Sequence, residues 1–347
     1  MGNLLSAHPA TAPGAPPPLI VACISSDYEK YLGIYSDLTS SLPPNSPNPL
    51  TTLDSQGNSV LHALFSSQNP SLQILSHIHT SLPPQTLSSM YSQKSTVLGC
   101  NPIWICVAYG NLSILNSVGS KIGSSKLLEL INVPNLQGDT SLLATCSKGN
   151  LKMIEYLSTL YSPSRFSDLL LKPNKNGTTA LWIVIGNSHC NVLSYLLTVK
   201  DLELDLNAPN DNGLYPLHVC CERGDIDTLR ILLDNVSSID VRDKNGANPL
   251  HVAAFCGNVK VVEVLVESVK PEVLKLKDSA GRSAYVLAML KDCTEIGELL
   301  KSKGAGEVTN DEVKEIEEAK ERREESKRKR EEERNNAKGL PGVQEIS

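Results

Sequence analysis

The residue types in this sequence that could do chemistry are nine cysteines and seven histidines. Thiolates and imidazoles bind zinc or act as nucleophiles and bases when their spacing brings them together. The sequence contains no Cys-x2-Cys pair, no His-Glu-x-x-His segment and no Gly-x-Ser-x-Gly segment. We therefore expect no metal, no cofactor and no catalytic centre, and we interpret the chain as a protein that is not an enzyme.

The elements that carry these residues follow a pattern that recurs eight times. The shared frame consists of a turn, an anchor residue, often small residues five and six positions after the anchor, and an apolar stripe. In seven of the eight copies the residue two before the anchor is Gly. The anchors are Pro17, Ser59, Asn101, Thr140, Thr179, Tyr215, Asn248 and Ser283.

Each feature of the pattern has a physical reason. Segments such as Asp243-Lys-Asn-Gly246 favour a tight turn in which Gly adopts a positive φ. Ser, Thr or Asn at the anchor is a good helix N-cap, and Pro suits the next position. The apolar spacing of 258–267 is typical of a second amphipathic helix. Each copy is thus predicted to be a turn followed by two helices, whose apolar faces are buried only when copies stack.

This unit resembles the ankyrin repeat, whose signature opens Thr-Pro-Leu-His-x-Ala. "NPLHVAA" at 248–254 and "YPLHVCC" at 215–221 are the nearest matches, while "TSLLATC" at 140–146 and "TALWIVI" at 179–185 are looser. The resemblance covers about residues 15–306. It implies an all-α ankyrin-repeat solenoid of about eight helix-turn-helix units with short β-hairpin turns.

The signature histidine is retained as His62, His218 and His251. In the family this side chain bonds to the anchor hydroxyl and stiffens the turn. Leu143 and Trp182 stand in its place in two middle repeats, which we expect to depend on apolar packing.

Five cysteines occupy the small-residue positions of the first helices, where Cys behaves as a small apolar side chain. We expect them to pack in the core, which fits a reducing compartment. They are Cys23, Cys106, Cys146, Cys220 and Cys221.

The anchors are mostly more widely spaced than the period of about 33 residues typical of the family. The surplus follows the second helix of each repeat. The Pro- and Ser-rich segments 40–49 and 81–89 are predicted to be loops. Segments 124–130 and 164–171, which are richer in Leu, are predicted to add a helical turn.

The two ends of the chain differ from the repeats. Residues 1–14 are predicted to be flexible, and "MGNLLS" fits the pattern for N-myristoylation of Gly2. One acyl chain would give weak, reversible membrane contact, and Lys30 is the one basic residue among the first fifty. Residues 307–338 are predicted to be a charged helix, more typical of a solvated helix than of a coiled coil. Residues 339–347 are predicted to be disordered.

We expect a cytoplasmic monomer, with membrane association through Gly2 as a further expectation. The overall charge of −6 gives no reason to expect nucleic-acid binding. The segment "KRKR" at 327–330 leaves a nuclear location open as a second interpretation.

The resemblance implies a protein-binding scaffold whose partner lies on a concave face made by the turns and the first helices. In the C-terminal half this set is mostly basic, so we expect it to bind an acidic segment of another protein. A solvated rim with no partner explains the same residues equally well. An adaptor subunit of a ubiquitin ligase or kinase, or a nuclear cofactor, would also fit the repeat pattern. The residues predicted for the face are Tyr109, Lys148, Lys175, Glu222, Arg223, Arg242, Lys244, Phe255, Lys277, Arg282 and Lys291.

Overall fold

The computed structural model describes residues 17–43, 46–210 and 213–338, with side chains described as far as Arg330. Gly2, the rest of the predicted 1–14 segment and residues 339–347 therefore lie outside the described residues. Over the described part, the chain forms 21 α-helices, one 3-10 helix and no strand. The predicted all-α class is confirmed. The chain divides into two compact units, Met1–Leu204 (unit 1) and Asp205–Ser347 (unit 2).

Unit 1 is a stack of helix pairs. The first helices of its five repeats pack side by side in chain order. They are α1 (Pro18–Ser25), α3 (Val60–Ser66), α6 (Pro102–Tyr109), α9 (Ser141–Ser147) and α12 (Ala180–Gly186). The second helices are α2 (Tyr28–Ser41), α4 (Leu72–Ser81), α7 (Leu112–Ile122), α10 (Leu151–Leu160) and α13 (Cys190–Thr198).

Unit 2 is built in the same way from three repeats and a long C-terminal helix. Its first helices are α14 (Pro216–Arg223), α16 (Pro249–Cys256) and α19 (Ala284–Leu290). Its second helices are α15 (Ile226–Asn235), α17 (Val259–Ser268) and α20 (Thr294–Ser302). A short helix, α18 (Pro271–Leu274), follows α17, and α21 (Asn310–Lys338) ends the described part.

The eight anchors stand at the starts of the first helices, as the repeat pattern predicts. Each anchor is the N-cap residue of its helix. Thr140 Oγ1, for example, accepts the Leu143 N–H at 3.1 Å. Such a bond satisfies one of the N–H groups that a helix leaves unpaired at its start.

Three repeats of unit 1 carry a third helix. These are α5 (Pro84–Ser92), α8 (Ser124–Ile131) and α11 (Pro163–Leu171), and a 3-10 helix occupies Pro49–Thr51. The extra turns predicted for 124–130 and 164–171 are therefore present as helices. The predicted loop at 81–89 is wrong for residues 84–89, which form the start of α5, and for Ser81, which ends α4. Pro84 suits the first position of α5, and Leu87 and Tyr91 bury one face.

The turns before the anchors are here called tips, and within each unit backbone hydrogen bonds join neighbouring tips. In unit 1 the Thr96, Leu136 and Lys175 N–H groups donate to the preceding tip's carbonyl at 2.8, 2.9 and 3.1 Å. In unit 2 the Ser279 N–H donates to the Asn245 carbonyl at 2.9 Å. An isolated β-bridge joins Lys277 and Ser283 at the base of the last tip.

The cysteines at the small-residue positions lie in the core. Cys23, Cys106, Cys146, Cys220 and Cys221 are each 0 % exposed. Burial raises the pKa of the Cys23 and Cys146 thiols to about 12, so neither thiol ionises near neutral pH. These positions act as packing sites, as the sequence predicts.

Candidate protein-binding surface

The surface that could bind a partner is formed by the tips and the first helices, and buried histidines hold these two parts together. His62 Nδ1 accepts the Ser59 N–H at 3.0 Å, and its Nε2 donates to the Cys100 carbonyl at 3.1 Å. The ring therefore joins its own anchor to the residue before the next anchor. Burial lowers the pKa of His62 to about 4, which keeps the ring neutral and able to accept at Nδ1.

His218 and His251 make the same link in unit 2. Their Nε2 atoms lie 2.9 Å from the Ala247 carbonyl and 3.1 Å from the Arg282 carbonyl. Burial lowers the pKa of both rings. The predicted bond to an anchor side chain is present at Ser59, whose Oγ lies 2.9 Å from His62 Nδ1.

Trp104 makes an equivalent link that was not predicted from the sequence. It stands three residues after the anchor Asn101, which is the position of the signature histidine. Its indole N–H donates to the Asp139 carbonyl at 3.0 Å. A second kind of donor at this position was visible in the sequence, because the repeat frame aligns Trp104 with His62.

A second link between repeats was also not predicted. Asn111 Nδ2 donates to the Phe65 carbonyl at 2.8 Å, and Asn258 Nδ2 donates to the Cys221 carbonyl at 2.6 Å. Each of these side chains stands at the start of the second helix of its repeat. It donates to a carbonyl near the end of the first helix of the preceding repeat. The recurring Gly-Asn pair, as at Gly257-Asn258, was the signal for it.

In unit 1 the structure brings together two of the predicted face residues. Lys148 Nζ lies over the Tyr109 ring, 3.5 Å from its centroid, in a cation–π contact. Partial burial lowers the pKa of Lys148. Lys175 is exposed on its tip, where its backbone N–H donates to the Gln137 carbonyl.

In unit 2 four of the predicted residues line one groove of about 580 Å³, here called the unit 2 groove. It lies on the first helices α14 and α16 and on the tips beside them. Phe255 is 49 % exposed within it, so the groove offers a large apolar side chain to a partner. The four residues are Glu222, Lys244, Phe255 and Arg282.

Three of the predicted basic residues form ion pairs or hydrogen bonds within unit 2. Arg282 contacts the buried Asp278 carboxylate at 2.9 and 3.1 Å. Arg242 Nη1 donates to the Lys277 carbonyl at 3.1 Å. Lys277 Nζ lies 2.9 Å from the Glu312 carboxylate. These three residues therefore hold the tips and α21 in place.

The remaining predicted residues of unit 2 present their side chains outward. Lys291 Nζ lies 3.9 Å from the centroid of the Phe255 ring. Lys244, Glu222 and Arg223 are exposed, and Lys291 is exposed as well. The charge at the groove is therefore mixed, with Lys244 and Lys291 as its outward basic groups.

The described residues hold no cluster of His, Cys, Asp and Glu that could bind a metal ion. Within the same part of the chain, no helix combines the length and the apolar character that crossing a membrane requires.

Comparison with known protein families agrees with the geometry. Residues 198–275 match the family model described as "Ankyrin repeats (3 copies)". A search of curated proteins found no match to the chain. Residues 198–275 therefore consist of ankyrin repeats, and ankyrin repeats are protein–protein interaction modules that are in general not enzymatic.

Proposed function

We propose that the chain is a non-enzymatic scaffold or adaptor that holds an acidic segment of a partner protein in the unit 2 groove. The observation that carries this proposal is the exposed Phe255 ring in the groove, with the Lys291 ammonium 3.9 Å from its centroid. An aromatic side chain beside a cation suits a segment that carries both apolar and acidic residues.

The predicted residues at the groove would have two different roles, which are contact with the partner and stabilisation of the tips. Lys244 and Lys291 would face the carboxylates of the partner, and Phe255 would contact its apolar side chains. Arg282 would keep Asp278 paired, because its guanidinium contacts the carboxylate that also accepts backbone N–H groups of the turn. Replacing Arg282 or Arg242 would therefore disturb the tips as well as any partner.

The test is affinity purification with the full chain, followed by mass spectrometry at several salt concentrations. With the variant K244E/K291E, the amount of partner recovered is expected to fall by about tenfold or more, because two attractive contacts become repulsive. K260E is the matched control, since Lys260 is exposed on the second helix α17. Equal recovery with all three proteins would contradict the proposal.

A second part of the proposal concerns Gly2, which lies outside the described residues. We propose that it is myristoylated, which would tether a cytoplasmic scaffold weakly and reversibly to membranes. The "MGNLLS" pattern supports this. Metabolic labelling with an alkyne analogue of myristate should mark the chain and fail with G2A. An unlabelled chain in cells that label a known substrate would end this part of the proposal.

A further inference from the structure

The tip before Asn101 differs from the other tips of unit 1. In the tips that open with Asp54, Asn135 and Asn174, that residue's N–H donates to the carbonyl four residues later. At Ser95 the acceptor is the Cys100 carbonyl, five residues later. This tip is thus one residue longer, and Ser95 stands where the others have Asp or Asn.

The extra residue of this tip is Val97. Thr96 donates to the preceding tip and Leu98 accepts from the following one, so the stacking bonds are retained on both sides of Val97. In the tip at Asn135 the equivalent donor and acceptor, Leu136 and Gln137, are consecutive residues. Val97 is consequently pushed outward and is 57 % exposed.

A pocket of about 140 Å³ lies beside this tip. Its lining is largely apolar and includes no charged side chain. Val97 stands at the exposed rim, and Trp104 and Ile105 form buried walls. Apolar cavities of about 150 Å³ hold one benzene ring, so the volume suits one aromatic side chain.

Two polar features limit what could occupy the pocket. Ser95 lines it and is 6 % exposed, and among the described residues its hydroxyl has no hydrogen-bonding partner. A buried hydroxyl without a partner is costly, and a ligand that bonds to it removes that cost. Tyr109 also lines the pocket and carries the Lys148 ammonium on its ring, which places a positive charge at that edge.

From these features we infer that the pocket binds a tyrosine side chain of a partner protein, next to an acidic residue of the same segment. The ring fills the apolar space, the phenolic hydroxyl bonds to Ser95, and the neighbouring carboxylate faces Lys148. This site lies wholly in unit 1, so it stands independently of the groove assigned to the acidic segment.

The first experiment uses small probes with the full chain. Ligand-observed NMR should show that p-cresol binds more tightly than toluene, by about threefold or more, because only p-cresol offers a hydroxyl to Ser95. S95A should abolish this preference while toluene binding is retained. Absence of p-cresol binding, or the same preference in S95A, would overturn the inference.

The second experiment places a charge at the rim. V97D should weaken p-cresol binding by about tenfold or more, because the ring would pack against a carboxylate. L136D is the matched control, since Leu136 is 52 % exposed on the next tip and does not line the pocket. Circular dichroism checks that both variants fold. Equal weakening in both would overturn the inference.

The third experiment tests the class of partner. An acetylated Gly-Glu-Tyr-Glu-Gly amide should bind more tightly than the same peptide with Lys in place of Glu, and K148E should reverse this order. An unchanged order in K148E would overturn the assignment of the carboxylate. Tighter binding of decanoate than of p-cresol would reassign the pocket to an acyl chain and overturn the tyrosine assignment.

Discussion

At the scale of single residues, two repeat positions supply side-chain hydrogen bonds that cross between repeats. One lies three residues after the anchor and holds His62, Trp104, His218 and His251. The other lies at the start of the second helix and holds Asn111 and Asn258. Both supply donors to backbone carbonyls that the core would otherwise leave unpaired. Within each unit, these bonds therefore fix how the repeats that they join pack on each other.

The histidines predict a loss of stability in acid. His62 has a pKa of about 4 in the folded chain, against about 6.5 when unfolded. Between these pH values the unfolded chain binds more protons than the folded chain. The population of the unfolded state therefore rises as the pH falls. The contribution of His62 is present in full above pH ~6.5, and about 3 kcal/mol of it is lost on acidification to pH ~4.

The measurement is urea unfolding followed by tryptophan fluorescence, because Trp104 and Trp182 both lie in unit 1. H62Q should show a shallower dependence of the unfolding free energy on pH. The same slope in H62Q and the natural chain would contradict the assignment.

Trp104 predicts a second residue-scale effect. W104F removes the donor to the Asp139 carbonyl and leaves a gap in a buried wall. It should lower the free energy of unfolding by about 1–3 kcal/mol. W182F is the control, since Trp182 is partly exposed and its indole makes no hydrogen bond to a described residue. Circular dichroism during denaturation measures both, and an equal loss would count against the link.

At the scale of elements, the C-terminal helix α21 closes the last repeat. Glu312 is buried and accepts the Thr309 N–H at 2.7 Å while it pairs with Lys277. Arg323 donates to the Met289 and Leu290 carbonyls at the end of α19 and lies 3.4 Å from Asp292. The first part of α21 is thus a polar cap of the kind that repeat stacks need at their ends.

R323A tests this cap. It should lower the stability of unit 2 by about 1–2 kcal/mol, because the carbonyls at the end of α19 lose a charged donor. Hydrogen exchange should rise in α19 and α20. R328A serves as the control, because Arg328 is exposed further along the same helix. Unchanged exchange in R323A would show that the contact does not hold the helix.

The sequence predicts these elements unevenly, and the reasons are local. The anchors could be located from the sequence because the N-cap residue and the turn glycine are close together in the chain. Helix α5 was missed because Pro83-Pro84 suggests a break, although Pro at a first position starts helices as well. The docking of α21 was missed because only Ile316 and Glu312 of its described surface are buried.

At the scale of the whole molecule, the sequence predicts a mostly basic face in the C-terminal half, and the charge at the unit 2 groove is mixed. The repeat frame assigned Tyr109, Lys148, Phe255 and Lys291 to one face. The structure brings Phe255 into contact with Lys291 and Tyr109 into contact with Lys148, although the members of each pair are far apart in sequence. The pairing of Arg282 with Asp278 depends on how the tip folds back, and the repeat pattern carries no signal for it.

Each repeat in a stack is stabilised mainly by contacts with its neighbours. A destabilising substitution in one repeat should therefore leave the stability of distant repeats unchanged. N258A breaks the bond to the Cys221 carbonyl in unit 2. Hydrogen exchange should rise in α14 and α16, while α3 and α6 of unit 1 keep their protection. Faster exchange in α3 to the same extent would show that the whole chain unfolds as one.

In the longer tip at Ser95, the shape of the exposed surface differs from that of the other tips while the hydrogen bonds that align the stack are the same. The flanking residues of this tip still join both neighbours, so an added amino acid altered the outline of the surface without disturbing the alignment of the stack. Insertions at other tips, placed between the donor and the acceptor, should be tolerated for the same reason. Ligand preference in such chains could then be changed tip by tip, with the helices left as they are.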